Sequence, residues 1–133
     1  MLRLPDGLEV VGDEWFRDCA VEKVVVPSSV RELGKSAFAG CRRLREVVFE
    51  RDSLLELVGD FCFSECGLRE VVVPRSVRRI GEGAFCGCLD LASLRFEEGS
   101  RLSSIGERAF RSTRLRPENV EYPSALQTEG YEW

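Results

Sequence analysis

Six cysteines are the residues of this sequence with the most versatile chemistry, since thiolates bind zinc and form disulfides. They are Cys19, Cys41, Cys62, Cys66, Cys86 and Cys88. A structural zinc site needs paired Cys-x2-4-Cys ligands that converge on one point. The closest approach to such a set combines Cys62 and Cys66 with the CGC segment 86–88. A repeat explains these positions better, so we predict no metal site.

Four of the cysteines occupy one slot of a repeating pattern. They are Cys19, Cys41, Cys66 and Cys88, and Thr113 takes the same slot in a later copy. A slot that accepts Cys or Thr favours a small buried group whose weak donor bonds to a backbone carbonyl. Stacked copies would separate these Cβ atoms by ~5 Å, more than the ~3.5–4.5 Å of a disulfide. We therefore predict free thiols in the core.

The other two cysteines have different surroundings. Cys62 stands in a slot that holds alanine in other copies, so it is predicted to be core. Cys86 stands in a slot that elsewhere holds Ala39, Ser64 or Arg111. A slot that tolerates charge is predicted to be exposed, and an exposed thiol is the one that reacts.

The sequence contains no histidine. This removes the commonest general base, the commonest metal ligand and every catalytic triad that depends on imidazole. The segment GEGAFCG at 81–87 has two glycines of a phosphate-binding loop, but Cys86 stands where the third belongs. We predict a protein that is not an enzyme, with no catalytic residue and no cofactor.

The whole chain is organised as a repeat of 22 to 25 residues. The stretch 68–90, LREVVVPRSVRRIGEGAFCGCLD, aligns with 21–43, and longer versions occupy 44–67 and 91–114. Partial copies flank these four full copies. The six copies are called coils 1 to 6 below and span about 2–20, 21–43, 44–67, 68–90, 91–114 and 115–133. A period of ~20–29 residues is typical of a leucine-rich-repeat solenoid.

The pattern L-x-x-V-x-V-P-x-S-V-x-x-I-G-x-x-A-F-x-x-C is similar to that of the BspA-like leucine-rich repeats, a family of bacterial and protist surface proteins. The match covers nearly the whole chain. The resemblance implies a single α/β solenoid domain, 1–133, wound as a right-handed superhelix. Each coil is expected to hold one short parallel strand and a short helical turn.

The residues of each coil predict its local structure. The alternating L-x-x-V-x-V segment predicts a strand with Val and Leu inward. Pro27 and Pro74 end that strand because proline has no N–H. A second extended piece ends in a glycine, which indicates positive φ or close approach of the next coil. A helical turn with Ala and Phe is predicted to follow. One phenylalanine per coil predicts an interior column: Phe16, Phe38, Phe63, Phe85 and Phe110.

Coil length alternates. Successive phenylalanines of this column lie 22, 25, 22 and 25 residues apart. The extra residues follow the strand in two coils, at 50–53 and 97–100, and predict two acidic loops on one rim, about 10 Å apart. These loops are either a source of partner selectivity or ordinary solvated loops. At the two ends, Trp15 and the aromatic residues Tyr122, Tyr131 and Trp133 are expected to cover the core.

The formal net charge of −4 argues against general nucleic-acid binding, which depends on phosphate neutralisation. Arginines cluster at 42–45 and 69–79 among interleaved acids, which is typical of a solvated, salt-bridged face. No run approaches the ~18 apolar residues of a membrane span. The N-terminal residues lack the order of a secretion signal, which predicts a cytoplasmic protein if the chain is complete. For a piece of a longer surface protein, the resemblance implies the cell surface.

The outward column of the main sheet is the predicted partner-binding site. Three valines, Val25, Val48 and Val72, form its apolar stripe. The charged margin consists of Lys23, Glu46, Glu70, Arg45 and Arg69. An apolar strip with a charged margin is typical of protein-binding surfaces, although valine also favours strands for its own sake. The leading hypothesis is a protein-interaction module. The alternative is a structural spacer or assembly subunit whose ends stack on other repeats.

Overall fold

The computed structural model describes residues 1–124 and 126. Each of the first five coils contributes two short strands. In chain order these are β1 Leu2–Arg3, β2 Val10–Val11, β3 Lys23–Val26, β4 Glu32–Leu33, β5 Glu46–Phe49, β6 Leu57–Val58, β7 Glu70–Val73, β8 Arg79–Ile80, β9 Ser93–Phe96 and β10 Ser104–Ile105. A 3₁₀ helix at Pro117–Asn119 follows. The fold is therefore a parallel β-solenoid of five turns.

The strands of successive coils pair in parallel and in register. In sheet A (β1-β3-β5), Val24 lies opposite Val47 and Val25 opposite Val48. Alternate side chains of a strand point to opposite faces, so Val24 and Val26 lie in the core while Val25 lies on the outer face. Sheet B is continuous through β2-β4-β6-β8-β10, and its last residues precede the repeated glycines, as predicted.

The outer sheet is divided, although the repeat predicts one continuous sheet. Strands β7 and β9 form a separate sheet C, and no ladder joins β5 to β7. Pro74 contributes to this gap, because the equivalent Glu50 and Glu97 each donate an N–H to the preceding coil and proline has none. Pro27 has the same slot, yet β1 and β3 pair. The remaining difference between the β1–β3 junction, which is paired, and the β5–β7 junction, which is not, is coil length. Sheet A and sheet C both end at a long coil.

The segment that carries Ala and Phe is not helical, so the predicted helical turn is wrong. In each of the first five coils two residues, four positions apart, have positive φ, for example Phe61 (54°) and Glu65 (56°). A positive φ breaks a right-handed helix. The N–H of Phe63 donates to the carbonyl of Ala84 in the next coil at 2.8 Å, and that of Phe38 to Cys62 at 2.8 Å. This segment therefore forms a third face of inter-coil hydrogen bonds.

The repeated glycine before this segment is required by close packing of coils. A Cβ on Gly59 would lie 2.7 Å from the backbone carbonyl oxygen of Leu33 and 2.7 Å from the carbonyl carbon of Gly34. Of the two reasons that the sequence left open, close approach therefore applies at Gly59.

The phenylalanine column predicted from the sequence is confirmed. The ring centroids of Phe16, Phe38, Phe63, Phe85 and Phe110 are successively 5.2, 5.4, 5.5 and 6.0 Å apart. Neighbouring rings are nearly parallel, with angles of 4° to 18°. All but Phe16 are buried. The column runs the length of the solenoid and is the centre of its core.

We expect Phe63→Ala to lower the free energy of unfolding by about 3–5 kcal/mol, because it removes a ring that stacks on both neighbours. Urea denaturation followed by circular dichroism measures this change. Phe96→Ala is the matched control, since Phe96 is half-buried and outside the column. An equal loss in both variants would contradict a special role for the column.

Candidate functional site

The predicted valine stripe lies on the outer face of the solenoid, but the gap between sheets divides it. Val25 and Val48 are partners across β3 and β5 and are half-buried. Val72 is 40% exposed, and its partner on β9 is Arg95. The structure therefore brings Val25 and Val48 together and leaves Val72 on the other side of the gap between β5 and β7. We call the outward residues Lys23, Val25, Glu46, Val48, Glu70 and Val72 the valine face.

The charged margin of this face is only partly paired. Lys23 and Glu46 lie 3.6 Å apart with about half of each side chain exposed. Arg45, Arg69 and Glu70 are exposed and form no ion pair within residues 1–124. An exposed pair contributes ~0–1 kcal/mol, so a partner can replace it at little cost.

A cleft of about 250 Å³ opens where β5 and β7 separate. We call it the coil-4 groove. Its lining residues are Glu46, Val47, Val48, Phe49, Glu50, Arg51, Glu70, Val72, Pro74 and Glu97. These include four glutamates and one arginine, which gives the lining a formal charge of −3. Of the residues proposed from the sequence, Val48, Val72, Glu46 and Glu70 line this groove.

Coil length accounts for the position of the groove. Coils 3 and 5 carry the extra residues at 50–53 and 97–100, and the shorter coil 4 passes between them. Glu97 leans across coil 4, where its carboxylate accepts the N–H of Arg75 at 2.9 Å. A second cavity of about 400 Å³ lies between the two loops and shares Arg51 and Glu97 with the groove. The loops at 50–53 and 97–100, which the alternation of 22 and 25 residues predicts on one rim, contribute Glu50, Arg51 and Glu97 to this groove, whereas the sequence does not predict Phe49 or Pro74 as part of the site.

In three copies the thiol of the cysteine slot donates to a backbone carbonyl, as predicted, and that carbonyl belongs to the preceding coil. The thiol of Cys41 donates to the carbonyl of Phe16 at 3.1 Å, that of Cys66 to Phe38 at 3.1 Å, and that of Cys88 to Phe63 at 3.0 Å. Thr113 instead bonds to Phe110 of its own coil at 2.7 Å.

All six cysteines are free. Cys62 is buried, as expected, whereas Cys86 is half-buried where exposure was predicted, and Cys19 is half-buried where a core position was predicted. Within residues 1–124 and 126, no group of three His, Cys, Asp or Glu side chains is arranged to hold a metal ion. The same residues contain no helix of the length and hydrophobicity that a bilayer crossing requires.

The two ends of the solenoid differ. At the N-terminal end Trp15 contacts Phe16 with centroids 6.4 Å apart but is 56% exposed, so it covers this end only in part. At the other end Tyr122 packs on Phe96 at 6.1 Å. Tyr131 and Trp133 lie outside the described residues.

The fold and this surface define a leucine-rich-repeat solenoid. Residues 3–132 match the model of the BspA-type leucine-rich-repeat region in six copies, and the chain belongs to this family. A search of curated proteins gave no match.

Solved structures of bacterial proteins share the fold. The pneumococcal vaccine antigen PcpA superposes with a TM-score of 0.76 at 20% identity, over 93% of this chain and 40% of that one. A leucine-rich-repeat protein from Bacteroides ovatus gives 0.68 at 24% identity, over 98% and 39%. A leucine-rich cell surface protein from Faecalibacterium prausnitzii gives 0.53 at 17% identity, over 86% and 48%. The chain thus spans less than half the length of these neighbours, and the likeness shows the fold.

Burial raises the pKa of Cys88 to about 12 and also raises the pKa values of Cys62 and Cys66, whose thiols are neutral in the folded protein. Unfolding returns each pKa to its ordinary value of 9.0. These thiols therefore favour folding fully below pH 9.0, and this contribution is lost as the pH rises from there toward 12.

We expect the free energy of unfolding, measured by urea denaturation, to fall across that pH range. Cys88→Thr is the matched control, because Thr113 occupies the equivalent slot and its hydroxyl does not ionise. The variant should show a shallower fall. An equally steep fall of the free energy of unfolding with pH in both proteins would contradict the assignment of this effect to the buried thiol of Cys88.

Proposed function

We propose that this chain is a non-enzymatic interaction module that binds a protein partner through the valine face. The observation that carries the proposal is the exposed Val72 beside an open groove in the outer sheet. Apolar side chains at the centre with charged side chains around them are the usual anatomy of a protein interface. The proposed contacts are Val25, Val48, Val72, Lys23, Glu46, Glu70, Arg45 and Arg69.

The charges of this surface are arranged to orient a partner. Arg45 stands just before the first residue of β5 and Arg69 just before that of β7, and neither has an ion pair in the described part of the chain. The next residues, Glu46 and Glu70, line the coil-4 groove together with Glu50 and Glu97. A partner whose acidic and basic groups match this order gains both association rate and a defined orientation.

The dimensions of the surface support a protein ligand. Small-molecule pockets typically enclose ~300–1,000 Å³ and bury most of the ligand. The coil-4 groove has about 250 Å³ and opens onto a sheet face. It suits a side chain that projects from a larger partner. We place this interaction at a cell surface, where the Faecalibacterium prausnitzii neighbour is described.

The test begins with a protein captured by the wild-type chain, which is then purified for calorimetric titration. Combined Val48→Asp and Val72→Asp should weaken its affinity by at least ~10-fold, because two charges enter the apolar centre of the interface. Leu89→Asp is the matched control, since Leu89 is 70% exposed and lies outside the valine face. An affinity that the double variant leaves unchanged would exclude this face.

A second candidate is a structural subunit that stacks end to end with other repeats. The observation behind it is the N-terminal end of the solenoid, where β1 and β2 are edge strands. Val10 is 47% exposed and Trp15 is 56% exposed at this end. Apolar residues beside unpaired strand edges favour pairing with another chain.

Sedimentation equilibrium tests this candidate. Association that grows with protein concentration is expected, and Val10→Asp should abolish it by placing a charge on the edge strand β2. Leu89→Asp, a similar change away from the end, should leave it intact. A monomer at all concentrations would count against end-to-end stacking.

A further inference from the structure

We propose that the coil-4 groove is the specificity pocket of the valine face and takes a lysine or arginine side chain from a basic segment of the partner protein. This inference rests on the proposed function and names the partner's chemistry. It concerns the groove as a whole, with its apolar and acidic lining residues and the gap between β5 and β7.

The shape of the groove fits a long side chain with a polar tip. Val48, Val72 and Pro74 supply apolar surface, and four glutamates line the same groove. Lysine and arginine bury an aliphatic stem along such a surface and keep the charged head near polar groups. The volume of about 250 Å³ matches one such side chain better than a whole ligand.

The electrostatics of the groove select a cation. Glu70 has no ion pair in the described part of the chain, and Glu46 has only the exposed contact with Lys23. Glu50 is held by Arg3 at 3.0 Å, and Glu97 accepts the N–H of Arg75. Glu46 and Glu70 are therefore the carboxylates that an incoming cation would meet.

An anionic side chain would face the opposite situation. Arg51 is the single cation among the lining residues, against four glutamates. Like charges brought together at an interface repel each other and suppress the wrong partner. Inside the groove an acidic side chain is therefore disfavoured and a basic one favoured.

The groove is present before any ligand binds, because it follows from coil length. The loops at 50–53 and 97–100 stand on either side of the shorter coil 4, and the inter-coil bonds of the other two faces fix their spacing. A preformed pocket saves the ordering cost that an induced one would incur.

The experiment uses a random peptide library displayed on phage, selected on the wild-type chain. Selected peptides are synthesised and their dissociation constants are measured by titration. The groove variant is Glu46→Gln with Glu70→Gln. The matched control is Glu32→Gln with Glu56→Gln, which removes two exposed glutamates at β4 and before β6.

We expect the selected peptides to share a lysine or arginine. Replacing it with norleucine, or using the groove variant, should each weaken binding about 5- to 10-fold. The two changes together should cost less than the product of their separate effects, because each removes one partner of the same contact. The control variant should bind like the wild-type chain.

Two results would overturn the inference, and they differ in what they imply for the proposed function. Peptides that lack a shared cation but lose binding with Val48→Asp and Val72→Asp would leave the valine face standing and remove the basic pocket. Selected peptides that are all insensitive to Val48→Asp and Val72→Asp would remove both.

Discussion

Hydrogen bonding between successive coils is the constraint on which the rest of this structure depends. Each column phenylalanine up to Phe85 donates its N–H at 2.8 Å to the carbonyl of the residue before the next phenylalanine. Sheet B pairs without interruption on another face. Coils held at the strand spacing must stack equivalent side chains, so the ring column, the thiol-to-carbonyl bonds and the glycine at 59 all follow from it. No coil can bury these groups alone.

Variation in coil length is accommodated where the constraint is weakest. The three extra residues of coils 3 and 5 lie on the rim beyond the outer strands, and the outer sheet separates after coil 3 while sheet B stays continuous. The result is an acidic groove over the shorter coil. The alternation of coil length, which contributes nothing to the core, thus produces the groove in the surface for which we propose partner binding.

The sequence predicts the core far better than the surface. A residue that recurs at one position of the repeat, such as Phe63 or Cys66, can be assigned to the core from the sequence, because stacking places all copies in equivalent surroundings. The resemblance implies a helical turn for the segment with Ala and Phe, and a positive φ at a residue such as Phe61 leaves no mark in composition. The divided sheet depends on how a long coil meets a short one, which no single repeat encodes. The alternation of residues in each strand therefore predicts that Val25, Val48 and Val72 lie on the outer face, as they do. It does not predict the gap between β5 and β7 that separates Val72 from the other two valines.

Amide hydrogen exchange measured by NMR tests the central constraint most directly. The account predicts slow exchange for the N–H groups of Phe38, Phe63 and Phe85, because each is bonded to the next coil within a buried face. The exposed residue Arg43 provides a fast-exchanging reference in the same experiment. Exchange at the three phenylalanines as fast as at this reference would contradict it.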